Sequence, residues 1–475
     1  MSASNATSAE TIESRNPARP QDVVWRGDAT IEALESAVSK ARTAQRAWSR
    51  APESERVAAL ERWRDVTTAR ADEIARLITR EMGKTIEESR AEAKLLGEKV
   101  SITLEASTRA RVSSFTVSAA GGRRGECVFR PFGVMAVVGP FNFPAHLPNG
   151  HWVPALLLGN TVIFKPSDRT PAVGELLGRL ARDAGFPDGV FQVVQGGPIV
   201  SSSLVSHGGI DGVLFTGSWP VGRRILEANL DRPGRIVALE MGGSNAAIVA
   251  EDAAPGTPLF KRAVEECVRS SFTTTGQRCT CTRRIVVHRR IAAPFTQAIV
   301  ERAKGLLFGP GDAEPAPFMG PLVSRAARES VLRFVDERRR KRARVLLEPK
   351  APDLDGWFIS PGVIEVDRFD RESDEECFGP VVQVAAADSL DEMIDQANAT
   401  DFGLVASVFT ADDSAWEQCR SRVRVGCINR NCGTAGASSR LPFGGLGRSG
   451  NLRPAGTFSV DSCAFPQASL IDDAG

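Results

Sequence analysis

From Gly133 onward the chain alternates short, uninterrupted apolar runs with helical patterns. Residues 134–138, 161–164, 191–194 and 212–215 are such runs; a Pro- and Asn-rich loop at 139–149 and helices near 151–158 and 174–184 lie between them. An apolar run with no polar alternation has to be buried on both faces, and strands joined through helices run parallel. The pattern dictates an open parallel sheet covered by helices on both sides, with any ligand crevice at the carboxyl ends of its strands. Runs at 236–239, 246–249 and 285–288, with helices at 258–270 and 292–303, repeat the same grammar. The expected fold class is α/β with two doubly wound domains, and 475 residues are chain enough for both.

The flanking segments read differently. Residues 1–20 are rich in Ser, Ala, Asn and Glu and are expected to form a mobile tail. Apolar residues at helical spacing from Ile31 to Trp48, with Asp28 as N-cap, and from Val57 to Ile78 predict two helices; a third, charged one runs to about Leu96. Between Ser113 and Arg130 the period changes to two. Phe115, Val117 and Ala119, a Gly121-Gly122 turn, then Cys127 and Phe129 predict a β-hairpin whose apolar positions suit a subunit-pairing arm.

The basic run Arg338-Arg339-Arg340-Lys341-Arg342 reads as a solvated helix face, because a formal charge of +1 gives no electrostatic case for nucleic acid. The most apolar window, from Trp152, is broken by Pro154, Gly159 and Asn160 and is too short to span a bilayer. Nine cysteines without metal-ligand spacing predict reduced thiols, no metal and a cytoplasmic location.

The loops that leave these strands carry the chemistry. Thr273-Thr274-Thr275-Gly276-Gln277-Arg278-Cys279-Thr280-Cys281 sets a cysteine among polar neighbours, which suits a displayed nucleophile better than a core thiol. Leu239-Glu240-Met241-Gly242-Gly243 ends an apolar run on a carboxylate, whose pKa desolvation would raise as a general base requires. Read alone, Glu240 is slightly more readily a cap of the next turn. Gly139-Pro140-Phe141-Asn142-Phe143-Pro144 is a rigid loop presenting one amide donor, as an oxyanion site needs. Phe164-Lys165-Pro166-Ser167-Asp168 offers groups suited to ribose hydroxyls. In Phe215-Thr216-Gly217-Ser218-Trp219-Pro220-Val221-Gly222 a strand runs through a glycine turn into a helix, whose N-terminus suits a pyrophosphate. Together these loops describe covalent oxidation of a carbonyl.

With Glu376-Cys377-Phe378-Gly379-Pro380 and Pro442-Phe443-Gly444-Gly445, they resemble the aldehyde dehydrogenase superfamily, in that family's order and over nearly the whole chain after the tail. The resemblance implies an aldehyde dehydrogenase-like fold with a dinucleotide-binding domain (21–111 and 131–239), a catalytic domain (240–452) and a β-hairpin oligomerisation arm (112–130 and 453–475) that builds a homodimer or homotetramer. It implies that Cys279 attacks the aldehyde, that Asn142 and the Cys279 N–H hold the oxyanion, and that Glu240 activates the water that releases the acid. Lys165 would hold the adenosine ribose; Gly217, Ser218, Trp219, Pro220, Val221 and Gly222 would hold the pyrophosphate. Glu376 and Phe378 would meet the nicotinamide ribose and ring. Asp168 stands where NAD-using members commonly carry a glutamate that excludes a 2′-phosphate, so NAD is expected, with NADP left open. His151 stands where many relatives have a lysine.

Within the family, residues 142–151, the Cys279-Thr280-Cys281 pair and Gly450-Asn451-Leu452-Arg453-Pro454 resemble the branch that oxidises N-succinylglutamate 5-semialdehyde in arginine catabolism. Such a substrate carries two carboxylates, so Arg278, Arg453, His146 and Asn149 are candidates to meet them. Thr273 to Thr275 are expected to line the tunnel, and Cys281 to pack beside it. Another ω-semialdehyde or an aliphatic aldehyde is the alternative substrate. A nucleotide-binding relative without catalysis is an alternative of a different kind, against which the intact Cys279, Glu240 and Asn142 argue.

Overall fold

The computed structural model of the protein describes residues 9–472. Five strands form an all-parallel sheet in the spatial order Phe191–Val193, Thr161–Lys165, Val134–Val138, Gly212–Gly217, Ile236–Met241. Successive residues feed opposite cores: Met135, Val137, Val162 and Phe164 pack with Trp63 and Trp152 on one face, while Val134, Ala136, Val138 and Ile163 pack with Leu34 and Val38 on the other. Burial on both faces is why these runs are apolar throughout. The chain builds outward from Val134–Val138, then returns to add Gly212–Gly217 on the other side of it. Strand order reverses between those two, which opens a crevice at their carboxyl ends.

A second sheet has seven strands, in the order Arg344–Leu347, Gly362–Glu365, Val381–Ala387, Thr282–His288, Asn245–Val249, Val405–Phe409, Cys427–Arg430. All neighbours are parallel except the edge strand Arg344–Leu347. A third, antiparallel sheet joins the expected hairpin, Phe115–Ser118 with Arg124–Pro131, to the strand Ala464–Ile471 near the chain's end.

Several expectations are corrected. Residues 1–8 lie outside the described part, but from Glu10 the expected tail is a strand, Glu10–Asn16, paired antiparallel with Arg19–Ala29. Its inward positions are Ile12, Ser14 and Asn16, so an apolar period of two is hidden by polar residues. Their partners are local or tertiary: Ser14 Oγ donates to Glu81 at 2.5 Å, and Asn16 Nδ2 to Asp22 at 3.1 Å. The first helix, Ile31–Trp48, is capped by Thr30, whose hydroxyl accepts from the Ala33 amide, and not by Asp28. The charged helix is Ile86–Leu104, longer than its pattern suggested. Of the basic run, Arg338 is buried: it donates to the Ser373 carbonyl at 2.7 Å and lies over the Phe334 ring. No helix among the described residues is long and apolar enough to cross a membrane.

Candidate active site

Four helices start at the carboxyl edge of the five-stranded sheet: His146–Leu157, Pro171–Asp183, Pro198–Ser206 and Trp219–Glu227. Each start leaves amide donors without helical partners. Three of the four are closed by glutamates from the N-terminal segment. Glu92 accepts from the amides of Ala145 and His146 at 3.0 and 3.1 Å. Glu81 accepts from Ala172 and Val173, both at 2.9 Å. Glu10 accepts from Gly197, Ile199 and Val200 at 3.0, 3.0 and 3.2 Å. The fourth start, Trp219–Glu227, follows the strand at the reversal of strand order, and its N-cap Ser218 makes no side-chain capping bond. Its positive end stays open to an anion. Pro220 sits in the first turn, where a missing N–H costs nothing. Gly222 allows the close packing, since a Cβ there would stand 2.3 Å from the Met241 sulfur.

Glu240 lies near the end of the strand Ile236–Met241, almost wholly buried, and neither carboxyl oxygen has a hydrogen-bond partner among the described residues. Burial pushes it well above the usual carboxyl range. The free edge of its strand is held by the Gly450-Asn451 loop. Asn451 donates its amide N–H to the Leu239 carbonyl at 3.1 Å, accepts the Leu239 N–H on Oδ1 at 2.8 Å, and donates from Nδ2 to Val237 at 3.0 Å. Gly450 adopts φ +136°, and a Cβ there would meet the Leu239 carbonyl oxygen at 2.3 Å. On the neighbouring strand Thr216 is paired in register with Glu240, and its hydroxyl is 2.9 Å from His151 Nε2. Burial, with Lys99 nearby, lowers the His151 pKa to about 3, so the ring is neutral.

Cys279 follows a left-handed kink in which Thr274, Thr275 and Gly276 take φ of 51°, 56° and 70°. Only glycine fits the last place, because a Cβ on Gly276 would sit 2.0 Å from the Gly379 carbonyl oxygen. Asn245 Nδ2 donates to the carbonyls of Cys279 and Cys281 at 2.7 and 2.8 Å and fixes the turn from the second sheet. Asn142 Nδ2 donates to the Gln277 carbonyl at 2.9 Å, which brings the amide to the backbone two residues before Cys279 and leaves its second N–H for another acceptor. Burial holds the Cys279 thiol well above its ordinary value; Glu240, Glu376 and Cys281 add to the effect and Arg278 opposes it. Glu376 accepts the Gly243 N–H at 3.1 Å, and burial pushes its carboxyl up to about 7. A Cβ on Gly242 would collide with that carboxyl at 1.8 Å, which accounts for the first glycine of the pair after Glu240. Phe378 meets Phe141 edge-on, 5.8 Å between ring centres, beside the Asn142 loop.

The Cys279 thiol, the Glu240 and Glu376 carboxyls that act on it, and the Asn142 amide thus come from separate loops to one neighbourhood, and residues 4–465 match the model of the aldehyde dehydrogenase family. The chain belongs to the aldehyde dehydrogenase family. It is 39% identical over 470 residues to the N-succinylglutamate 5-semialdehyde dehydrogenase of Vibrio cholerae, covering 98% of this chain and 95% of that one. It is 40% identical over 462 residues to the enzyme of the same name from Novosphingobium aromaticivorans, covering 97% and 96%. Its structure matches lactaldehyde dehydrogenase from Escherichia coli with a TM-score of 0.91 at 29% identity, over 97% of this chain and 96% of that one. It matches betaine aldehyde dehydrogenase from Staphylococcus aureus, solved with NAD+, with a TM-score of 0.91 at 27% identity, over 100% and 95%.

The other residues singled out from the sequence of this aldehyde dehydrogenase divide sharply. Lys165 ends the strand Thr161–Lys165, buried, with Nζ on the carbonyls of Pro166 and Gly196, and burial lowers it to about 8. Asp168 follows on the same rim, with the Ser167 hydroxyl 3.4 Å from its carboxylate. Of the four proposed carboxylate receptors, Asn149 is wholly buried and engaged within the core: Oδ1 accepts from Trp63 Nε1 at 2.9 Å and Nδ2 donates to Leu96 at 3.1 Å. His146 is held neutral by burial, with Lys99 and Lys84 nearby, its pKa lowered to about 3. Arg278 is paired with Glu88 at 2.9 Å. Among the described residues Arg453 makes no side-chain hydrogen bond or ion pair; it takes φ +47° against Gly444.

Thr274 and Thr275 are buried and donate to Glu88 and Gly320, so they brace the turn and do not line a tunnel. Cys281 is fully buried. Sequence reasoning missed Glu10, Lys84, Glu88, Glu92, Asn245 and Asn451. One signal was present: Glu92 continues the apolar stripe of Leu96 and Val100 back along its helix, a carboxylate at a core position.

Proposed function

We propose that the protein oxidises N-succinylglutamate 5-semialdehyde to N-succinylglutamate with NAD, through covalent intermediates on Cys279. The observation that carries the reading is that the Asn142 amide and the unpartnered Glu240 carboxyl both approach the Cys279 turn. In this reading Cys279 Sγ adds to the aldehyde carbon, and the oxygen takes hydrogen bonds from the second N–H of Asn142 and the Cys279 N–H. Loss of hydride from the thiohemiacetal leaves a thioester. Glu240, a strong base once ionised because burial disfavours its charge, removes a proton from the attacking water; the Cys279 thiolate leaves and the acid departs.

The residues present fit a nicotinamide dinucleotide, which when bound supplies the hydride acceptor. The uncapped start of Trp219–Glu227 would hold its pyrophosphate, Lys165 its adenosine ribose, and Glu376 with Phe378 the nicotinamide end. NAD over NADP is supported by two carboxylates on the ribose side, Asp168 and the Glu10 that already occupies the amides at Gly197 to Val200. Either would repel a 2′-phosphate. The dicarboxylated substrate is supported by the two relatives named for it and by Arg453, whose guanidinium is free to pair with a carboxylate. The three-stranded sheet would serve as the arm of a homo-oligomer.

Cys279→Ser should abolish NADH formation while NAD binding, followed by tryptophan fluorescence, survives; unchanged turnover would remove the mechanism. Arg453→Ala should raise KM for succinylglutamate semialdehyde by about tenfold to a hundredfold, the worth of one charged hydrogen-bonded pair, and leave short aliphatic aldehydes unaffected. An equal loss on both aldehydes would remove the substrate reading.

A further inference from the structure

The Asn142 amide and the Cys279 thiol stand on loops far apart in sequence, and one helix reaches both. Ile86–Leu104 carries Glu88 and Glu92 one turn apart on the same side. Toward the Asn142 loop, Glu92 Oε2 pairs with Lys84 Nζ at 2.5 Å, both side chains fully buried, while Oε1 accepts the amides of Ala145 and His146 at 3.0 and 3.1 Å. The Lys84 ammonium lies 3.3 Å from the centre of the Phe143 ring. Toward the Cys279 loop, Glu88 pairs with Arg278 at 2.9 Å and accepts the Thr274 hydroxyl at 2.6 Å, and Arg278 Nε donates to that hydroxyl at 2.7 Å. The Arg278 guanidinium lies 5.0 Å from the same Phe143 ring. Phe143, next to Asn142 in the chain, is therefore attended by two cations, each tethered to a glutamate of one helix.

A buried ion pair is a weak device for stability, because desolvating both charges offsets most of their attraction and an apolar pair of the same volume usually serves as well. What Lys84 and Glu92 supply that apolar residues would not is direction. They fix the amides of the Asn142 loop and the plane of Phe143 relative to the Cys279 turn. A donor displaced by ~1 Å from the developing oxyanion loses about a hundredfold in rate.

We propose that Lys84 and Glu92 are positioning residues: through Phe143 they hold the Asn142 donor at its working distance from Cys279, without touching substrate. The inference rests on Asn142 being the oxyanion donor. It also gives Arg278 a place in the scaffold, its charge matched by Glu88.

The test is a double-mutant cycle in the full-length enzyme. Glu92→Gln keeps an oxygen for the loop amides and loses the pair with Lys84. It should lower the rate of NADH formation at saturating aldehyde by about tenfold to a hundredfold with little change in KM. Alkylation of Cys279 by iodoacetamide, which develops no oxyanion, should change by less than about twofold. In an Asn142→Ala background Glu92→Gln should add no further loss. Glu92→Asp and Phe143→Leu, which leave no uncompensated buried charge, carry the same cycle if Glu92→Gln folds poorly. Losses that add to those of Asn142→Ala, or that fall equally on alkylation, overturn the positioning role alone. An Asn142→Ala enzyme as fast as the parent overturns the oxyanion reading and this inference with it.

Discussion

Cys279 and Glu240 share an electrostatic problem: Glu240 is buried and Cys279 partly so, each is pushed toward its protonated form, and the negative charge of one disfavours that of the other. Each therefore gives up its proton less readily than it would in water. Alkylation of Cys279 should be slow at pH 7 and rise about tenfold per pH unit to beyond pH ~8.5, the ordinary thiol value. Removing the carboxylate in Glu240→Gln should move that inflection to lower pH, because the like charge that opposed the thiolate is gone. An inflection that stays put, or climbs, would separate the two groups. Cys279, Glu240 and Asn142 stand out in the sequence because each breaks its local pattern: a thiol among hydroxyls, a carboxylate at the end of an apolar run, an amide between aromatics and prolines. Arg278, His146 and Asn149 were misread because their surroundings lie at Glu88, Lys99 and Trp63, and nothing local announces such neighbours.

At the scale of elements, three helix starts of the first sheet are closed by a glutamate and the fourth, Trp219–Glu227, is not. If Glu10 helps exclude a 2′-phosphate, Glu10→Gln combined with Asp168→Asn should strengthen NADP binding relative to NAD by about tenfold or more, read by fluorescence titration; an unchanged ratio would assign discrimination elsewhere. The loop that holds the Glu240 strand makes a second prediction. Gly450→Ala forces a Cβ into the Leu239 carbonyl at a φ of +136° and should cost about 1–3 kcal/mol, seen as a lower melting temperature together with a lower kcat. Strands that are apolar throughout could be read directly, since burial on both faces leaves no choice of residue. The strand Glu10–Asn16 could not, because Ser14 and Asn16 face inward and are satisfied by Glu81 and Asp22. The antiparallel edge Arg344–Leu347 carries no long apolar run either.

At the scale of the whole molecule, the described residues leave an apolar sheet face exposed. Phe115, Val117 and Leu470 of the three-stranded sheet are 56%, 54% and 69% exposed. If that sheet pairs subunits, Val117→Glu with Leu470→Glu should reduce the particle mass in light scattering and leave the circular dichroism spectrum unchanged; an unaltered mass would free the sheet of that role. The hairpin could be foreseen from its own alternation, whereas its long pairing with Ala464–Ile471 depends on chain that arrives more than three hundred residues later. The same order of arrival bears on synthesis. Glu10, Glu81 and Glu92 leave the ribosome before the helices they close, so the first sheet meets its caps ready made. Asn451, which fastens the strand bearing Glu240, is made 212 residues after Leu239 of that strand. A nascent chain that stops short of Asn451 thus carries Cys279 while the edge of the Glu240 strand is still unfastened.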